Sequence, residues 1–117
     1  MLVVDDDRDI REVVTDALEA EGYRVVTAGD GREAIALLRA VGAAPSLILL
    51  DLMMPGMDGA QFRAEQRRDP TLDAIPVVVL SADSGLDAKA KSLGVAGHLK
   101  KPVALDALLD AVREYCG

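Results

Sequence analysis

One cysteine, one phenylalanine, two tyrosines and no tryptophan occur in a chain of 117 residues. With a single thiol, Cys116, no internal disulfide can form, and no companion ligand beside it suggests a role. The shortage of rings means that a chain half of whose residues are hydrophobic must build its core from aliphatic side chains. A basic excess is lacking too. The net charge is −7, whereas a nucleic-acid surface needs a basic stripe, so direct nucleic-acid binding is not expected. Arg63, Arg67 and Arg68 form the densest basic cluster, but acidic neighbours flank them and no aromatic platform accompanies them, so they read as a solvated helix face. No apolar run approaches a membrane span, and the first strand begins directly after Met1, leaving no room for a signal peptide. The expectation is a cytoplasmic protein without membrane contact, with residues 1–117 forming one domain large enough for an ordinary core.

What is present is an alternation of two periods. Leu2 to Asp5 reads as a strand, after which Ile10, Val13, Val14, Ala17 and Leu18 repeat at helical spacing up to Gly22. Arg24 to Ala28 reads as a second strand on its β-branched run, and Ala34, Ile35, Leu38 and Val41 make a second helical stripe closed by Gly42 and Pro45. A third strand runs from Leu47 to Asp51. The next helix, from about Gly59 to Arg68, has an apolar face interrupted by Arg63 and Gln66, and Asp69-Pro70 ends it. Pro76 to Ser81 is a nearly continuous apolar strand of the kind buried on both faces of a parallel sheet. A short helix from Leu86 to Leu93 stops at Gly94, a fifth strand spans Gly97 to Lys100, and Leu105, Leu108, Leu109, Val112 and Tyr115 stripe a last helix. This (βα)5 alternation predicts a flavodoxin-like, doubly wound α/β fold: a five-stranded parallel sheet in the order 2-1-3-4-5.

In that order four neighbouring strands end in polar groups: Asp5-Asp6, Asp51, Ser81 and Lys101. Carboxyl ends of strands are where such sheets keep their chemistry. Carboxylates this close repel by about 4 kcal/mol per pair at an effective dielectric near 20, so the cluster persists only if a proton or a cation offsets the charge. Mg2+, or Mn2+, suits all-oxygen ligands of this kind, and the Lys101 ammonium can bind a phosphoryl oxygen as a point charge. Asp7 and Asp9 read instead as caps of the first helix. Pro102 fixes the turn after Lys101.

Four segments together resemble the response-regulator receiver domain of two-component signalling, CheY-like in type. They are Leu2-Val-Val-Asp-Asp-Asp7, Leu50-Asp-Leu-Met-Met-Pro-Gly-Met-Asp-Gly59, Val79-Leu-Ser-Ala82 and Leu99-Lys-Lys-Pro102. The resemblance implies that Asp51 accepts a phosphoryl group, that Asp6 ligates the metal directly and Asp5 through water, and that Met53 offers its backbone carbonyl. It further implies that Ser81 and Lys101 contact the phosphoryl oxygens, with Lys100 a decoy. Met53 and Asp83 would tune the lifetime of the mark. His98 falls where receivers usually carry a tyrosine or phenylalanine that changes rotamer, on a surface made by the fourth helix, fifth strand and fifth helix. The implied partners are a sensor histidine kinase or histidine phosphotransfer protein, and an unknown downstream protein or output domain.

Two rivals are weighed on the same residues. A phosphatase of the haloacid dehalogenase type needs a second acid at position 53, where Met53 stands, and the phosphate-binding loop of a nucleotide hydrolase is absent. A receiver-like module that only binds partners would lack one of Asp6, Asp51 or Lys101, and all three are present.

Overall fold

The structure is a computed structural model that describes residues 1–40, 45–52, 59–81, 86–101 and 104–116. The elements are β1 (Leu2–Val4), α1 (Arg8–Ala20), β2 (Val26–Ala28), α2 (Gly31–Ala40), β3 (Ile48–Asp51), α3 (Gly59–Arg68), α4 (Pro70–Asp73), β4 (Val77–Ser81), α5 (Leu86–Leu93), β5 (Gly97–Lys100) and α6 (Leu105–Cys116). All strand pairings are parallel and the order is β2-β1-β3-β4-β5, as the alternation of periods predicts. No helix among the described residues is long and apolar enough to cross a membrane.

Strand residues alternate between two cores because successive side chains point to opposite faces. Leu2, Val4, Ile48, Leu50, Val77 and Val79 pack with Ala34, Ile35, Leu38 and Phe62 from α2 and α3. Val3, Leu47, Leu49 and Val78 pack on the other face with Val14 and Leu18 of α1 and with Leu108 and Val112 of α6. Burial on both faces explains why β3 and β4 read as unbroken apolar runs. The chain ends of these strands are then the places left for polar groups.

Two readings from sequence change. Asp69-Pro70 does end α3, but it also begins another helix. Asp69 accepts from the Thr71 amide, Pro70 occupies the first helical turn, and α4 follows as a single turn. The solvated-face reading of the basic cluster fails at Arg63. Arg67 and Arg68 are exposed, but Arg63 is buried. Its Nε donates to Leu93 O (3.0 Å), its Nη2 to Gly94 O (3.1 Å) and its Nη1 to Gln66 Oε1 (2.9 Å), with Asp73 Oδ1 at 3.4 Å. Gln66, fully buried, passes the network on by donating from Nε2 to Leu72 O and Ile75 O. The two polar interruptions of the α3 stripe are therefore inward-facing and join α3 to α4 and to the carboxyl end of α5.

Candidate functional site

Val4 of β1 pairs with Leu50 of β3, and Asp51 with Leu80 of β4, so the carboxyl ends of three strands finish at nearly one level. Ser81 lies opposite Lys100 on β5, and the next amide, Lys101, donates to Ser81 O at 2.9 Å. This register turns the strand-end residues into one polar patch. One oxygen from each of Asp5, Asp6 and Asp51 falls within 4.8 Å of the others. Asp5, Asp51 and Ser81 are buried, whereas Asp6 is exposed.

Lys101 supplies the opposing charge. Its Nζ donates to Asp5 Oδ2 at 2.9 Å and lies 3.4 Å from Asp51 Oδ2. Burial pulls the Lys101 ammonium down, but the Asp5 hydrogen bond and the charges of Asp5 and Asp51 more than offset this, leaving its pKa raised above the usual lysine value. Of the two adjacent lysines, Lys100 is exposed and Lys101 reaches the carboxylates. Asp7 sits beside the cluster as the N-cap of α1, its side chain accepting from the Asp9 and Ile10 amides. His98 is exposed on β5, in register with Val79. Met53, Asp83 and Pro102 lie outside the described residues.

The donor set fits a hard divalent cation: three carboxylates, two of them buried, converge with no nitrogen or sulfur ligand among them. Asp5 and Asp6 would contribute from β1 and Asp51 from β3.

Gly59 has a role beyond its place in the turn sequence. Its amide donates to Leu52 O at 3.1 Å. A Cβ there would come within 2.7 Å of Leu52 Cδ2, 2.8 Å of Leu52 Cα and 3.1 Å of Asp51 O. The first turn of α3 thus rests on the backbone that carries Asp51. Gly59→Ala is expected to lower stability by roughly 1–3 kcal/mol through overpacking, a cost that exceeds the helix-propensity gain of at most about 1 kcal/mol. Urea denaturation checks this, and an unchanged or raised midpoint would show that α3 can lift away from Leu52 without cost.

The family model described as "Response regulator receiver domain" matches residues 1–113. Response regulator MprA of Mycolicibacterium vanbaalenii is 39% identical over 115 residues, covering 97% of this chain and 48% of its own, so the chain spans about half the length of that relative. The solved structure of the chemotaxis response regulator CheY4 of Vibrio cholerae superposes with a TM-score of 0.87 at 34% identity, covering 97% of this chain and 95% of that one. A crystal structure of the phosphorylated cyanobacterial phytochrome response regulator RcpA gives a TM-score of 0.79 at 37% identity over 97% of this chain and 87% of its own.

Proposed function

Because the chain belongs to the response-regulator receiver family, we propose that it is a phosphorylation switch in which Asp51 receives a phosphoryl group from a phosphohistidine donor. Members of this family are phosphorylated signalling switches rather than classical enzymes. The observation that carries the reading is the meeting of Asp5, Asp6 and Asp51 with the Lys101 ammonium at one sheet edge. Residues 1–117 act as one receiver in this reading.

In the transfer, a carboxylate oxygen of Asp51 attacks phosphorus. The O–P bond forms as the P–N bond of the donor imidazole breaks, and the imidazole leaves with the electron pair. Positioning and charge stabilisation dominate such transfers. Lys101, already 3.4 Å from Asp51 Oδ2, would pair with a developing phosphoryl oxygen, and the Ser81 hydroxyl would donate to another. Asp5, Asp6 and Asp51, with the Met53 carbonyl, would hold Mg2+, which would supply further positive charge to the phosphoryl group. Water attack on the aspartyl phosphate erases the mark, with Met53 and Asp83 setting its lifetime. Ser81 and His98 would carry the signal to the face formed by α5, β5 and α6, for a downstream partner or output domain to read. With a histidine kinase or phosphotransfer protein as donor, the reaction would take place in the cytoplasm.

Incubation with acetyl phosphate and Mg2+, followed by intact mass measurement, tests the assignment. One added phosphoryl group is expected, absent without metal and absent in Asp51→Asn. Labelling of Asp51→Asn at the wild-type level would move the site elsewhere, and no labelling of the wild type would leave a partner-binding module in its place.

A further inference from the structure

Arg11 lies in the first turn of α1, outside the acid cluster, yet its Nη1 donates to the backbone carbonyl of Asp5 at 2.6 Å. That carbonyl belongs to the peptide joining Asp5 to Asp6. The other polar groups of Asp5 face elsewhere. Its amide donates to Ala28 O (3.1 Å), its Oδ1 accepts from the Asp7 amide (2.9 Å) and its Oδ2 accepts from Lys101. These three tethers fix Asp5 itself, and the fourth, from Arg11, fixes the plane of the peptide leading onward. A peptide is rigid about its C–N bond, so holding its oxygen holds the direction in which Asp6 departs.

This matters because Asp6 is the exposed member of the cluster, with neither the burial of Asp5 nor that of Asp51 to place it. Arg11 is well suited to the task, because a planar guanidinium loses less freedom per hydrogen bond than an ammonium. It is also seated. A Cβ on Gly29, at the end of β2, would stand 3.3 Å from Arg11 Nη1, so Gly29 leaves the slot the guanidinium occupies.

We propose that Arg11 is a positioning residue for divalent-cation binding, aiming Asp6 by holding the peptide that precedes it. The proposal rests on the reading of Asp5, Asp6 and Asp51 as the cation site. Its sign separates it from simple electrostatics. A positive charge near a cation site repels the cation, so removing Arg11 would tighten binding if charge were its only influence. Positioning requires the reverse, and groups behind the metal ligands typically contribute about 10–100-fold in affinity.

The test is Mn2+ binding to the folded protein, read from the free-ion paramagnetic resonance signal, with Mg2+ as competitor at constant ionic strength. Arg11→Gln is expected to bind Mn2+ about tenfold more weakly than wild type, and Arg11→Lys to fall between the two. Arg8→Gln is the charge control, since Arg8 is exposed on the same helix and pairs with Glu12 rather than with Asp5; its affinity should be unchanged or slightly tighter. Wild-type affinity or better in Arg11→Gln overturns the proposal, and if that variant does not fold, wild-type affinity or better in Arg11→Lys does so. A wild-type protein that binds no Mn2+ would instead overturn the reading of the cluster, and the role of Arg11 with it.

Discussion

Lys101→Ala is expected to lose both phosphoryl transfer and fold stability, and Mg2+ is expected to restore only the second. Lys101 bridges Asp5 and Asp51, whose side chains are 1% and 5% exposed. Removing one partner of a buried ion pair strands the other charge and typically costs about 3–5 kcal/mol. Here two carboxylates lose the same ammonium, so a loss at the upper end of that range is expected in metal-free urea denaturation at neutral pH. A divalent cation held by the same carboxylates can replace the missing charge, so saturating Mg2+ should recover most of the midpoint. Transfer from acetyl phosphate should stay at least about a hundredfold slow, because preorganised charge aimed at the developing phosphoryl oxygens acts in the transition state and a ligand-bound metal does not replace it there. A variant as stable as wild type without metal would show that the Lys101 contacts are not energetically coupled to the fold.

The pH dependence of this gap has a defined sign. The Lys101 pKa is raised: burial lowers it, and the hydrogen bond and charge of Asp5 with the charge of Asp51 outweigh burial. A group with a raised folded pKa contributes stability that is fully present below its unfolded pKa and lost as pH rises through the folded one. The difference between wild type and Lys101→Ala should therefore stay level through neutral and mildly alkaline solution. It should narrow only as pH climbs past the ordinary lysine range.

The strand ends were legible in the sequence because a parallel sheet leaves a periodic trace. Ile48-Leu49-Leu50 and Val77-Val78-Val79 are buried on both faces, and a polar residue closing such a run has nowhere to be but the edge. Five strand–helix repeats fit the order 2-1-3-4-5, which sets Asp5, Asp51, Ser81 and Lys101 side by side. The contacts themselves are another matter. Lys101 meets Asp5 across 96 positions, a distance over which no local period carries information. Arg11 was invisible for a different reason: its bond is to a backbone carbonyl, and carbonyls have no residue type to read. Arg63 was misread as part of a solvated face, although it is buried. Arg63 and Gln66, three apart, read only as interruptions of the apolar side of α3, because their partners, Leu93 O, Gly94 O and Leu72 O, are again backbone.

Arg63→Met should destabilise the fold by about 3 kcal/mol or more, with the damage concentrated where α5 ends. Methionine conserves most of the buried volume, so cavity formation contributes little and the polar loss dominates. Burial pulls the Arg63 pKa down against the attraction of Asp73, and its charge is nonetheless kept, because arginine is protonated throughout the accessible range. With it gone, Gln66 Oε1, fully buried, loses its donor, and the carbonyls of Leu93 and Gly94 lose theirs at a helix carboxyl end where a cation is favourable. A buried acceptor left unsatisfied costs about 1–3 kcal/mol, and charge-assisted bonds lie at the upper part of that range. Amide hydrogen exchange should rise first at Leu93, Gly94 and Val95 and in α4, which Gln66 holds through Leu72 O and Ile75 O. Uniform loss of protection would instead mean that Arg63 acts through global stability alone. The local outcome would show that Arg63 fixes the carboxyl end of α5 through the Leu93 and Gly94 carbonyls.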